Sequence, residues 1–209
     1  MSAPVLVCFA LAGEAKPFRN LIRNRANVSV LVTGMARRNT EYAIEAALKT
    51  VRPRRVFTCG VAGALDPALR VGHVLFHTCV ESIASELRSA GATPGTFSCE
   101  DHVLITRAEK AALRQRTKAD AVEMESAFIQ IMCAQQNIEC ATVRAISDTA
   151  NDDLPLDFNS LRSPRWELSP SKLALAILTA PQLIPALVRL GRNNAFAAKQ
   201  LATVLGKII

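Results

Sequence analysis

The feature that most limits how this chain can fold is a succession of Val-rich apolar runs with helix-like segments between them. "VLVCFAL" (5–11), "VSVLVTGM" (28–35), "RRVFTCGVAG" (54–63), "GHVLFHTCV" (72–80) and "CATVRAISD" (140–148) read as strands. None alternates strictly between apolar and polar residues, so each is expected to be buried on both faces. Helical patterning fills about 14–24, 39–50, 107–117 and 120–136. The alternation predicts an α/β fold with a central mixed, mostly parallel, twisted sheet flanked by helices. In such sheets ligands bind beyond the carboxyl ends of the strands. Gly13, Gly34, Gly60, Gly63 and Asp148 are predicted to fall at or just after those ends.

With 209 residues, a single domain spanning 1–209 is the default. Half of the residues are hydrophobic and 21% are charged, which excludes a disordered chain. Six cysteines without a CxxC pair fit free thiols in a reducing cytosol better than a zinc site or a disulfide framework. No metal and no cofactor is expected. The N-terminal "MSAPVLVCFALAGEA" lacks the basic region of a signal peptide and reads as a first strand. The formal charge of +7 is uneven: no acid follows Glu167, while Lys172, Arg189, Arg192, Lys199 and Lys207 do. Such a tail suits either an anionic partner or a solvated helix face. Nucleic acid is not expected, because one Trp and one Tyr offer little base stacking and no recognition motif is present.

The segment 151–170 reads as a long loop, and residues 171–209 read as two or three helices. The most apolar part of these helices, 173–188, is broken by Pro181 and Pro185 and is too short to span a bilayer. Packing against the sheet is expected there, with an interfacial amphipathic helix as the alternative.

"KADAVEMESAFIQIM" (118–132) reads as a helix that carries Glu123 and Glu125 in its greasy part. Two residues apart on a helix, they point about 200° apart and are no carboxylate dyad. Either both occupy an exposed first turn favoured by the helix dipole, or Met124 and one Glu face a ligand while the other Glu finds a structural partner. "CGVAGALDP" is not GxGxxG and no GxxxxGK[ST] occurs, so Gly60 and Gly63 offer close backbone approach without a nucleotide-phosphate motif.

Taken together, "FALAGEAKPF", "TGMARRN", "CGVAGALDPALRVGHVLF", "AVEMES" and "VRAISD" are more specific. In this order and spacing they resemble the purine nucleoside phosphorylase and nucleosidase superfamily, especially its methylthioadenosine/adenosylhomocysteine nucleosidase branch. The likeness covers roughly 5–150. It implies cleavage of an N-glycosidic bond through an oxocarbenium-like transition state. By this resemblance Asp148 donates a proton to the leaving base, which asks that burial raise its proton affinity. Glu125 accepts from the ribose hydroxyls, and Met124 packs on the sugar. The backbone of Val103 reads the base, and Glu14 orients and activates water. Ser147, Gly60 and Val61 complete the implied substrate contacts, and Glu123 is the structural neighbour of Glu125.

Phosphorylases of this kind hold phosphate with arginines and a hydroxyl in their Gly-rich loops. Here Thr58 and Val61 stand at the matching positions, and Glu14 replaces an arginine. That favours water, although Gly34, Arg37 and Arg38 could restore a phosphate site, so the nucleophile is open. The chain is short around 80–100 and its final third looks like the hopanoid-associated phosphorylases. These are implied to release adenine from adenosylhopane. The resulting expectations are a small-molecule nucleoside substrate, with phosphate as a second candidate. They extend to a homo-oligomer in the cytoplasm, with peripheral membrane contact through the basic apolar tail. The alternative is a non-catalytic nucleoside- or lipid-binding relative of the same fold.

Overall fold

The computed structural model describes residues 4–35, 37–161 and 169–209. Its centre is one sheet whose longest strands are the Val-rich runs. β1 (Val5–Phe9), β2 (Val28–Val32), β3 (Arg55–Ala64) and β8 (Glu139–Asp148) lie parallel to one another in the order β2-β1-β3-β8. β4 (Val74–His77) joins β8 antiparallel and carries the short β5 (Thr93–Pro94). The end of β3 turns aside to pair antiparallel with β7 (Ala121–Glu123), which in turn holds β6 (Phe97–Cys99). The sheet is therefore mixed and mostly parallel.

Successive side chains of a strand face opposite ways, and the core divides accordingly. Leu6, Cys8 and Val56 pack with Ile44 and Leu48 of α2 (Arg37–Val51) and Ile129 of α5 (Ser126–Gln135). On the other face Val7, Phe9 and Phe57 meet Phe18 of α1 (Ala12–Leu21), Ile83 and Leu87 of α3 (Glu81–Ala90), and Leu201 and Leu205 of α7 (Ile184–Ile208). Full burial of each such side chain contributes about 1.5–3 kcal/mol. α4 (Arg107–Thr117) starts at a capping box, in which Thr106 Oγ1 accepts from the Glu109 N–H at 3.2 Å and Glu109 Oε2 accepts from the Thr106 N–H at 2.8 Å. This fixes the helix phase, so that Lys110 and Leu113 are the buried pair on its inner face.

Three expectations are corrected. The stretch 118–132 is not one helix: Ala121–Glu123 is strand, Met124 and Glu125 form a turn, and α5 begins at Ser126. The hydrogen bonds of "AVE" to β3 and β6 outweigh a local helical pattern. Gly60 lies inside the carboxyl half of β3 rather than at its end, whereas Gly63 is at the end as expected. The apolar segment 173–188 does not pack on the sheet. α6 (Pro170–Thr179), the 3₁₀ turn Pro181–Leu183 and the start of α7 hold no fully buried residue between 173 and 188, and Leu175 and Leu178 are 61% and 79% exposed. Only the second half of α7, Ala197 to Leu205, enters the core. Of the predicted loop 151–170, residues 162–168 lie outside the described residues.

Candidate active site

A cavity of about 590 Å³ opens at the carboxyl end of the parallel strands, a size that suits a small organic ligand. Glu14, Val61, Val103, Met124, Glu125, Glu123, Ser147 and Asp148 all line it, with Gly34 and Gly63. The strand register explains the convergence. Gly60 lies beside Arg144, and Gly63 beside Asp148, on the adjacent parallel strands β3 and β8. Between them the ladder slips by one residue, so that Ser147 is extra on β8. Such a bulge re-aims side chains, and here both Ser147 and Asp148 reach the cavity wall.

At one end of the cavity a single guanidinium serves three acids. Arg144, 1% exposed, donates through Nη2 to Glu123 Oε2 and to Thr58 Oγ1 at 3.3 Å, and stands 3.5 Å from Glu125 Oε2. The side chain runs directly over Gly60: a Cβ there would lie 2.4 Å from Arg144 Nη1 and 3.0 Å from Glu14 Oε2. This is the physical reason for glycine at that position.

The acids divide by their partners. Burial pushes Glu123 up, but Arg144, the Ser126 hydroxyl and the N–H groups of Glu125 and Ser126 outweigh it, so its carboxyl titrates below the usual range. Glu125 lacks those donors. Burial, reinforced by Glu123 and Glu14 and opposed by Arg144, pushes it up to about 7. Burial likewise raises Glu14, against the pull of Arg144 and the backbone of Leu11 and Val61. Glu14 Oε2 is buried with no hydrogen-bond partner among the described residues. Arg144 itself is held protonated by Glu123, Glu125 and Glu14 in spite of its burial.

At the other end one cation serves one acid. Lys110 Nζ donates to Asp148 Oδ2 at 2.6 Å, and Ser147 Oγ donates to Asp148 Oδ1 at 2.7 Å. The same ammonium donates to the carbonyls of Thr149 at 2.8 Å and Asp152 at 3.0 Å. A buried ammonium thus touches Asp148. The segment 149–161 crosses this end and is stitched to the segment before α4. Leu154 N–H donates to the Ile105 carbonyl at 2.8 Å, and Arg107 N–H donates to Asp153 Oδ1 at 2.7 Å. Asn159 accepts from the Val103 N–H at 2.9 Å and donates to its carbonyl at 2.8 Å. Leu154 and Phe158 of this strap line the cavity.

Most of the residues singled out in the sequence thus meet. Three placements differ. Both backbone groups of Val103 are engaged by Asn159, and Val103 lines the cavity with Leu104. Arg37 and Arg38 are exposed at the start of α2 and do not line the cavity; Arg37 pairs with Glu41 at 2.7 Å and lies over the Phe128 ring. Gly60 underlies the Arg144 side chain and is likewise not among the lining residues. Sequence reasoning gave no role to Arg144, although it stands in a quoted motif, and missed Lys110 entirely. The one available sign was that Lys110 sits three residues before Leu113, on the apolar face of a helix.

The chain belongs to the phosphorylase superfamily, whose sequence profile it matches over residues 12–79 and 79–179. Among characterised relatives it is 26% identical to the 5'-methylthioadenosine/S-adenosylhomocysteine nucleosidase of Glaesserella parasuis, over 74% of this chain and 82% of that one. It is 25% identical to the aminodeoxyfutalosine nucleosidase of Campylobacter jejuni, over 48% of this chain and 58% of the relative. The match thus spans little more than half the length of the second relative. Among solved structures, the futalosine hydrolase of Helicobacter pylori superposes with a TM-score of 0.75 at 15% identity, covering 99% of this chain and 97% of that one. The 5'-methylthioadenosine/S-adenosylhomocysteine nucleosidase of the same organism, bound to butyl-thio-DADMe-Immucillin-A, gives 0.75 at 15% identity, covering 98% and 97%. These structures establish a shared fold. Both of these sequence relatives are nucleosidases.

Proposed function

We propose that this protein cleaves the N-glycosidic bond of a purine nucleoside, with adenine as the leaving base and water as the nucleophile. The observation that carries this reading is the meeting of Glu14, Glu125 and Asp148 around one cavity. The base lies against Val103 and Leu104, next to Asp148, which hands a proton to its ring nitrogen as the bond to the sugar breaks. The ribose sits on Met124 with its hydroxyls on Glu125. That contact strengthens as positive charge develops on the sugar. Water enters beside Glu14, whose unpartnered buried oxygen takes up its proton. Water is favoured over phosphate because both cations lining the cavity, Lys110 and Arg144, are already bonded to carboxylates.

The test is adenine release from adenosine, 5'-methylthioadenosine and S-adenosylhomocysteine, with and without inorganic phosphate. Release independent of phosphate is the expected result. Strict dependence on phosphate would overturn the choice of water. Tight binding of adenine with no turnover would favour a binding protein instead.

A lipid-linked nucleoside such as adenosylhopane is the narrower substrate, supported by one feature. Leu190 and Asn194 of α7 form part of the cavity wall, and the exposed apolar residues Leu175, Leu178, Ile184 and Val188 lie on the segment that leads into them. No acid follows Glu167 in this basic region, which suits peripheral contact with an anionic membrane from the cytoplasm. Co-sedimentation with phosphatidylglycerol vesicles, lost in Leu178→Asp, is the expected outcome; equal sedimentation of both proteins would remove the membrane contact.

A further inference from the structure

We infer that Lys110 is the second half of the acid in this site: the proton that reaches the leaving base comes from Lys110 Nζ and passes through Asp148. This rests on the functional reading above and deepens it. The geometry carries it. Asp148 is met on Oδ1 by the Ser147 hydroxyl and on Oδ2 by the Lys110 ammonium, 2.7 and 2.6 Å away. An ionised carboxylate takes donors on both oxygens in this way, and of the two groups that meet it the ammonium is the one with acidic protons to pass on. The proton nearest to Asp148 that can be passed on is therefore on Lys110, which is 1% exposed and lines the same cavity.

The other two donations of that ammonium, to the carbonyls of Thr149 and Asp152, hold it in line with Asp148 and tie it to the strap that carries Leu154 and Phe158 over the cavity. In the step itself the bond from C1' to the base nitrogen breaks and its electron pair goes to the base. A proton moves from Lys110 to Asp148 and on from Asp148 to the base. Lys110 is left as a neutral amine and Asp148 as a carboxylate. Water supplies hydroxide to C1' and its proton to Glu14. After product release Lys110 regains a proton from solvent and Glu14 gives its own up, so the sum is nucleoside plus water to base plus ribose.

The experiment compares two leaving groups. Adenine must be protonated as it departs, whereas p-nitrophenolate leaves as a stable anion. With 5'-methylthioadenosine, Lys110→Met is expected to lower kcat about 100-fold or more with KM little changed, the size of effect typical of losing an acid catalyst. With p-nitrophenyl β-D-ribofuranoside the same variant is expected to lose at least about tenfold less in kcat than it loses with 5'-methylthioadenosine, since no acid is required. Lys110→Gln keeps a donor of similar reach but no transferable proton, and is expected to show the same selective loss. It also serves if Lys110→Met folds poorly. Added ethylamine is expected to restore adenine release by Lys110→Ala in proportion to its concentration. Equal loss on both substrates, no loss on either, or failure of the amine to rescue a folded variant would overturn the inference. A wild-type protein inert toward every nucleoside would strike the functional reading first, and this inference with it.

Discussion

The two ends of the cavity solve the same problem differently. Around Arg144 one buried cation is shared by three carboxylates, and only Glu123 has enough donors to stay firmly ionised. Burial pushes Glu125 up to about 7 and raises Glu14 above the ordinary carboxylate value. Around Lys110 one cation is matched to one carboxylate at hydrogen-bonding distance. Excess acid over base thus makes a region that accepts donors and releases charge. A matched pair makes a region in which the charge of the acid is met by one fixed donor. The ratio of carboxylates to cations, three to one at one end and one to one at the other, is what separates them.

The largest effect that sharpens this contrast is at the matched end. Asp148→Asn is expected to lower kcat for adenine release about 10²–10⁴-fold, with the circular dichroism spectrum close to wild type. Near-normal turnover would erase the distinction between the ends. At the shared end, Glu123→Ala leaves Arg144 without its main counter-charge. It is expected to cost about 3–5 kcal/mol in urea unfolding, the typical penalty for breaking a buried pair. A loss below about 1 kcal/mol, the surface-pair scale, would show that the guanidinium is not committed to Glu123.

The smallest effect concerns pH. The folded state raises the Glu125 carboxyl from 4.5 to about 7, so it prefers the protonated form. The stability this gives is fully present below the unfolded value of 4.5 and is lost as pH rises through about 7. Across that window the wild-type protein is expected to lose of order 3 kcal/mol relative to Glu125→Gln, which cannot ionise. Parallel stability–pH curves for the two proteins would mean that Glu125 is ionised throughout.

Much of this was legible in the sequence, for physical reasons. The strands were visible because strands buried on both faces are largely apolar, as in Val5–Phe9. Glu14, Glu125 and Asp148 were singled out through motif order, since each stands on an element or, for Glu125, directly before one. What escaped notice depended on partners distant in sequence. "AVE" is strand only because β3 and β6 lie beside it. Lys110 is functional in this reading only because residues 148–152 fold over it, 38 to 42 positions away. Arg37 and Arg38 looked like anion ligands in one dimension, yet the turn of α2 carries them outside. The apolar 173–188 predicted burial, because hydropathy cannot say whether a partner exists.

The slip in the ladder between Ala62 and Gly63 has a consequence for how this site can vary. A strand is a two-state ruler: adding or removing one residue exchanges its faces. With Ser147 as the odd residue, the count from Arg144 to Asp148 sets which side of the sheet the acid occupies, independently of what either residue is. A relative could keep every chemical group and still lose the reaction by one deletion here, and a search by residue identity alone would miss it.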